Sequence, residues 1–179
     1  NTGFNFTGPG ITTTSNTQDP NTNPDIAMFD NAANPLSAGV LGVAISGFNS
    51  CDGITWFVSG VDIVFRRNGT GGITWNFGPA ATTGCCVDFE SVAVHELGHA
   101  HQLGHIIAAG RIMHFSIGPG QDRRVLNPTS DIAGGNFVMT QSASLSACSG
   151  TVTGMTPFAC ALPIESVDLV GNALPGKRN

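Results

Sequence analysis

The chain has 179 residues, 41% of them hydrophobic and only 11% charged, with a formal net charge of −5 and no tyrosine. That length supports one domain with a core of its own, or one domain and a linker. With no basic run and no interleaving of aromatic and basic residues, nucleic acid and anionic membrane are excluded as partners, and no apolar stretch reaches the ~18 residues of a membrane span.

In chain order, residues 1–24 are rich in Asn, Thr, Gly and Pro and read as loop. They lack the charged, apolar, small-residue order of a secretory leader, so any leader is expected to have been removed or to lie ahead of Asn1. Residues 25–29 and 40–45 read as short strands, and 61–65 as a third with clean alternation. Asp88 or Ser91 can cap a helix predicted over 89–102. A second helix is predicted to start over 128–133, and the remainder reads as loop and tail. Asn5-Phe6-Thr7 and Asn68-Gly69-Thr70 fit glycosylation sequons.

Five cysteines leave at least one thiol without a partner in the chain. Cys148 with Cys160 would close a short Thr-, Gly- and Pro-containing loop, and Cys51 with either Cys85 or Cys86 is the second expected pair. There is no Cys-x-x-Cys to suggest a thiolate metal site, so disulfides and an oxidising compartment are expected.

The chemistry concentrates in residues 95–105, His-Glu-Leu-Gly-His-Ala-His-Gln-Leu-Gly-His. Four of the five histidines fall in these eleven residues, which makes accidental clustering a poor explanation. His95 and His99, four residues apart, project from one face of a helix and can both reach a metal at ~2.0–2.1 Å. Glu96 lies ~100° round the helix, off the ligand face but close enough to take a proton from a water at the metal. On a continuing helix His105 would be ~120° off that face and ~9 Å along the axis, so the helix must end between His99 and His105. Gly104 is a candidate for the turn that brings His105 back. Three protein ligands leave a position open, as in a catalytic rather than a structural zinc site. His101, ~200° from His99, reads as a solvent or packing histidine. His114 could line a cleft but has no place in the ligand spacing.

His95-Glu96-x-x-His99 with His105 and then Met113 resembles the metzincin clan of zinc endopeptidases, and residues 92–100 are most similar to its matrixin-like branch. The resemblance implies an α+β (α/β) fold: a twisted mixed sheet, an active-site helix, a methionine turn and a C-terminal helix, with a cleft between an upper subdomain (1–105) and a lower one (106–160), followed by a tail or linker (161–179). It makes His95, His99 and His105 the ligands of Zn2+, Met113 the apolar floor beneath the metal, and Glu96 the general base and acid of a zinc-activated water. The activity implied is that of a secreted endopeptidase, expected to be a monomer acting on protein or peptide substrates. A non-hydrolytic zinc-binding adhesion module is the alternative, and Glu96 argues against it. Calcium could be held among the Asp side chains and carbonyls, but no loop pattern marks a site.

The same resemblance makes 40–45 the antiparallel edge strand over the cleft, with unpaired backbone at Leu41 and Gly42 to hold an extended peptide, and puts Phe115 and Ile117 in a wall of the pocket beside the scissile bond. The sequence departs from the pattern at Phe115, where other branches carry a ligating tyrosine, and at Gln102, where the clan has glycine. Gln102 is expected to take the left-handed conformation itself, with its amide exposed or bonded to nearby backbone; the alternative moves the turn to Gly104. Matrixins also place a strand, a long helix and another strand ahead of the piece matched to 25–29, so the chain either starts after a cleavage or builds its front differently. Residues 161–169 are similar to the opening of β-sandwich modules that follow secreted catalytic domains in Bacteroidetes.

Overall fold

The protein is described by a computed structural model, in which residues 19–20, 25–50, 53–54 and 56–144 are described. The loop reading of residues 1–24 and of the tail, and the Cys148–Cys160 pair, fall mostly or wholly outside them. The architecture is mixed α/β, with a small sheet and two helices. Strands β1 (Ala27–Phe29), β2 (Gly42–Ser50) and β3 (Trp56–Phe65) form a three-stranded sheet in the order β1-β3-β2, β1 parallel and β2 antiparallel to β3. Two-residue strands β4 (Trp75–Asn76) and β5 (Val87–Asp88) pair in parallel just ahead of helix α1 (Phe89–Ala100). A π-helical turn at Pro128–Ile132 leads into α2 (Ala133–Ser144). Among the described residues no helix is long and apolar enough to cross a membrane.

All three predicted strands form, but β2 and β3 extend well past 45 and before 61 as the two arms of a hairpin. The extension has little apolar alternation: Gly47, Asn49, Ser50, Ser59 and Gly60 lie in it. Cross-strand pairing, not burial, carries it, with a register shift at Gly47/Phe48.

One sheet face packs on α1. Ala44, Ile63 and Phe65 join Trp75, Val87, Val92 and Ala100 in the core, and Phe29, Phe65, Trp75 and Phe77 all pack their rings against Phe89. The buried Arg66 bonds the carbonyls of Ser37 and Val40 and pairs with Asp30, which fixes the turn leading into β2.

Helix α1 starts where the sequence places it, because Asp88 accepts the Ser91 N–H at 2.9 Å as N-cap. The same buried carboxylate accepts the Ser91 and Thr82 hydroxyls and two guanidinium nitrogens of Arg124. Burial alone would raise the Asp88 pKa, but the bonds from Arg124, Ser91 and Thr82 outweigh it and hold the carboxyl well below the usual carboxylate range. A group depressed in the folded state stabilises the fold fully above its unfolded pKa and loses that contribution as pH falls through the folded value. Denaturant midpoints are therefore expected to drop below pH ~4, and Asp88→Asn is expected to flatten that drop while lowering stability at pH 7 by ~1.5–3 kcal/mol, as for the loss of a hydrogen bond to a charged group. An unchanged acid limb in the variant would refute the assignment.

The end of α1 sets the site. Gln102 has φ of +63°, and Gly104 is not in the left-handed region. The helix thus stops at Ala100, two residues short of the predicted end, and the turn lies at Gln102. His101 is the C-cap, the Gln102 N–H donates to His99 O at 2.8 Å and the Leu103 N–H to Gly98 O at 2.9 Å, the bond pattern that closes a helix on a left-handed residue. A left-handed non-glycine residue is strained by ~1–2 kcal/mol. The Gln102 amide offsets part of this by donating to Ser46 Oγ at 3.0 Å and Ala100 O at 3.2 Å. Gln102→Gly removes the strain and those bonds, worth ~0.5–1.5 kcal/mol each. The metal-loaded variant is expected to melt within a few degrees of wild type, and a clear drop would contradict a strained turn at this position.

Candidate metal centre

Once the chain turns at Gln102, His105 meets the helix face. The Nε2 atoms of His95 and His99 lie 3.0 Å apart, those of His99 and His105 3.0 Å, and those of His95 and His105 3.1 Å. His95 Nδ1 donates to Ile112 O at 2.6 Å and His99 Nδ1 to Leu103 O at 2.7 Å. A carbonyl can only accept, so both Nδ1 atoms carry the proton and both Nε2 atoms present lone pairs. Lone pairs facing one another at this range repel unless a cation sits among them, and a cation ~2.0–2.1 Å from each fits such a triangle. Burial lowers the His95 pKa well below its ordinary value, assisted by the neighbouring His99, and burial with the neighbouring His105 lowers His99 to about 4. Both are neutral at pH 7, as ligands must be. The triad could hold a metal ion; among the described residues it is the one cluster of three or more His, Cys, Asp or Glu drawn together, and no acidic cluster that could take calcium accompanies it.

Among the described residues Glu96 is the largest of the fully buried side chains, 1% exposed. Burial pushes its pKa up to about 8, and the Ala44 N–H donating to the carboxylate offsets only part of that rise. Its Oε2 atom has no hydrogen-bond partner. The carboxylate occupies the space where a Cβ on Gly42 would stand, 2.7 Å from Oε1, so glycine at 42 makes room for Glu96.

The edge strand needs one correction. β2 is the outer strand of the described sheet, but the Leu41 carbonyl accepts the Arg66 N–H at 2.8 Å and the Leu41 side chain is buried in the core. With Gly42 opposite Phe65, that bond makes theirs a non-hydrogen-bonded pair, so the backbone of Gly42 faces away from β3 and that of Leu41 faces toward it. The Ala44 N–H, also outward in this register, is taken by Glu96. Of the two expected positions, only Gly42 points its backbone off the edge.

Met113 is buried and lies against α1 at Gly98, where a Cβ would collide with its sulfur. The turn carrying it is stitched to the site twice, by His95 Nδ1 to Ile112 O and by the Ile106 N–H to Met113 O at 2.9 Å. Sequence reading passed over Gly98; a glycine inside a helix, where alanine would be better by ~1 kcal/mol, was the available signal. Gly98→Ala should therefore lower the melting temperature and weaken metal binding, with overpacking of ~1–3 kcal/mol exceeding the helix-propensity gain. A raised melting temperature would mean that Met113 does not need this space.

Ile117 lines a cavity beside His95, together with Val92, Ile112, His114 and Arg123. Phe115 does not: it stacks on the His114 ring at 4.3 Å. His101 is buried, with Nε2 3.2 Å from Gly135 O, so it packs α1 on α2 and lies outside the triad. Cys85 and Cys86 are at disulfide distance from each other, which replaces the expected pairing of either with Cys51; Cys51 itself lies outside the described residues.

Compared with models of known protein families, with curated proteins and with solved structures, the chain finds no match.

Proposed function

We propose that the chain is a zinc-dependent endopeptidase of metzincin type, secreted and monomeric, acting on protein or peptide substrates. The observation that carries this reading is the convergence of three Nε2 atoms at 3.0–3.1 Å with the buried, raised-pKa carboxylate of Glu96 on the residue after the first of them. Zinc held by His95, His99 and His105 would supply a Lewis acid for the scissile carbonyl and lower the pKa of a water.

Glu96 then takes the proton of the attacking water and returns it to the leaving amine. A carboxylate lifted by burial is a stronger base than one in water, which suits both transfers near neutral pH. The Ala44 N–H orients it and leaves Oε2 uncommitted. The outward backbone of Gly42 offers an N–H and a C=O to an extended peptide laid along β2. The Ile112 and Leu103 carbonyls fix the tautomers of His95 and His99.

The test is digestion of a peptide library by zinc-loaded protein, with and without chelator, read by mass spectrometry. Chelator-sensitive internal cleavage is expected; intact peptides with stoichiometric zinc would favour a non-hydrolytic zinc-binding module.

A further inference from the structure

Cys85 and Cys86, neighbours in sequence, stand at disulfide distance, with Cys85 exposed and Cys86 half-buried. A disulfide stabilises a fold chiefly by constraining the unfolded chain, and more so the longer the loop it closes. A bridge between neighbours closes the shortest loop there is, so it gains little in that way. Its Cα atoms are 3.8 Å apart, as adjacency dictates. An ordinary disulfide spans ~4.4–6.8 Å, and one outside that range is easier to reduce. Exposure acts in the same direction, since accessible disulfides are the labile ones.

The pair is tied through its backbone to the loop beside the metal centre. The Cys86 N–H donates to Thr83 O at 3.1 Å, closing a turn over 83–86, and the Cys86 carbonyl accepts the Gly120 N–H at 2.9 Å. Gly120, with φ of +75°, lies backbone against backbone on this turn: a Cβ there would stand 3.1 Å from Gly84 Cα and 3.3 Å from Gly84 N. The same loop carries Ile117, which lies beside His95. On the other side, Cys86 leads through Val87 to Asp88, the cap of the helix that bears His95. A disulfide sulfur carries no hydrogen, so the Thr83 hydroxyl donates to Cys85 Sγ at 3.1 Å.

We propose that Cys85 and Cys86 form a thiol–disulfide exchange site, closed by oxidation and opened by a low-molecular-weight thiol, whose opening releases the loop 117–121 from the turn 83–86. A reductant thiolate attacks the exposed Cys85 Sγ, forming a mixed disulfide and expelling the Cys86 thiolate. A second reductant thiolate attacks the reductant's sulfur in that mixed disulfide and expels the Cys85 thiolate, which the Thr83 hydroxyl is placed to bond. Two reductant thiols become one disulfide, and their two electrons and two protons end on Cys85 and Cys86. Once the ring is open, the peptide between the cysteines regains its torsional freedom and the Cys86 carbonyl is no longer held toward Gly120. The inference stands apart from the peptidase reading, and its test needs no turnover.

That test is a titration of the zinc-loaded protein with glutathione redox buffers, read by alkylation with peptide mapping and by amide hydrogen exchange. After oxidation Cys85 and Cys86 should be bonded to each other, and both should be alkylated in buffers that leave the long-range disulfides of a reference secreted protein intact. Reduction should speed exchange of the Gly120 amide by about 2–10-fold, the fold-change that one hydrogen bond represents, while amides in the β2–β3 pairing keep their rates. The double variant Cys85→Ser/Cys86→Ser should exchange at Gly120 like reduced wild type and ignore glutathione. Reduced wild type carries the test by itself where the variant does not fold. Bonding of Cys85 or Cys86 to another cysteine, reduction only alongside the reference disulfides, or a Gly120 amide indifferent to reduction overturns the assignment. So does a Gly120 amide that quickens only together with those of β2 and β3, because the release would then not be local.

Discussion

Glu96→Gln is expected to retain a full complement of metal while losing peptide hydrolysis by ~10²–10⁴-fold or more, the usual consequence of removing a general base. The substitution keeps the shape of a side chain that is 1% exposed and leaves the three imidazoles untouched. Stability should be unchanged or slightly higher, because the native structure forces this carboxylate into a buried site and raises its pKa to about 8. The check is metal analysis, a thermal melt and a chelator-controlled peptide assay on one preparation. Stoichiometric metal with undiminished turnover would remove Glu96 from the mechanism.

The second large effect concerns His105. His105→Ala removes one corner of a triangle whose sides are 3.0–3.1 Å, leaving two ligands. Loss of a mere hydrogen-bond partner of a metal ligand weakens affinity ~10–100-fold, so loss of the ligand itself should exceed that range. His101→Ala is the matched control. That side chain is also buried but bonds Gly135 O, so its removal should lower stability by ~1–3 kcal/mol and leave metal affinity unchanged. The reverse pattern would mean that the turn at Gln102 does not deliver His105 to the helix face.

What was legible in the sequence is what depends on local spacing. The i, i+4 pair His95 and His99, the cap at Asp88 and the need to stop the helix before His105 follow from helix geometry along a dozen residues, and the structure has each of them; geometry alone pointed to Gly104 for the turn, and it was the resemblance that pointed to a left-handed Gln102. The three strands were legible through their apolar cores and not through their ends, since the arms of the β2–β3 hairpin are held by pairing between residues without a readable pattern; how they pair into a mixed sheet was implied only by the resemblance. Contacts made across the fold were hidden. Nothing local says that Gly98 clears space for Met113, that Gly42 clears space for Glu96, that Leu41 turns its carbonyl to Arg66, or that Arg123 and Arg124, side by side, divide into a cavity residue and the partner of a helix cap. The pairing of Cys85 with Cys86 instead of a distant cysteine was hidden for the same reason.

The central claim, that three imidazoles and no thiolate hold the metal with one position left open, is tested most directly by X-ray absorption at the zinc edge of the loaded protein. Three imidazole nitrogens at ~2.0–2.1 Å with one further light donor are expected. A sulfur shell at ~2.3 Å, or fewer than three imidazoles, would contradict it.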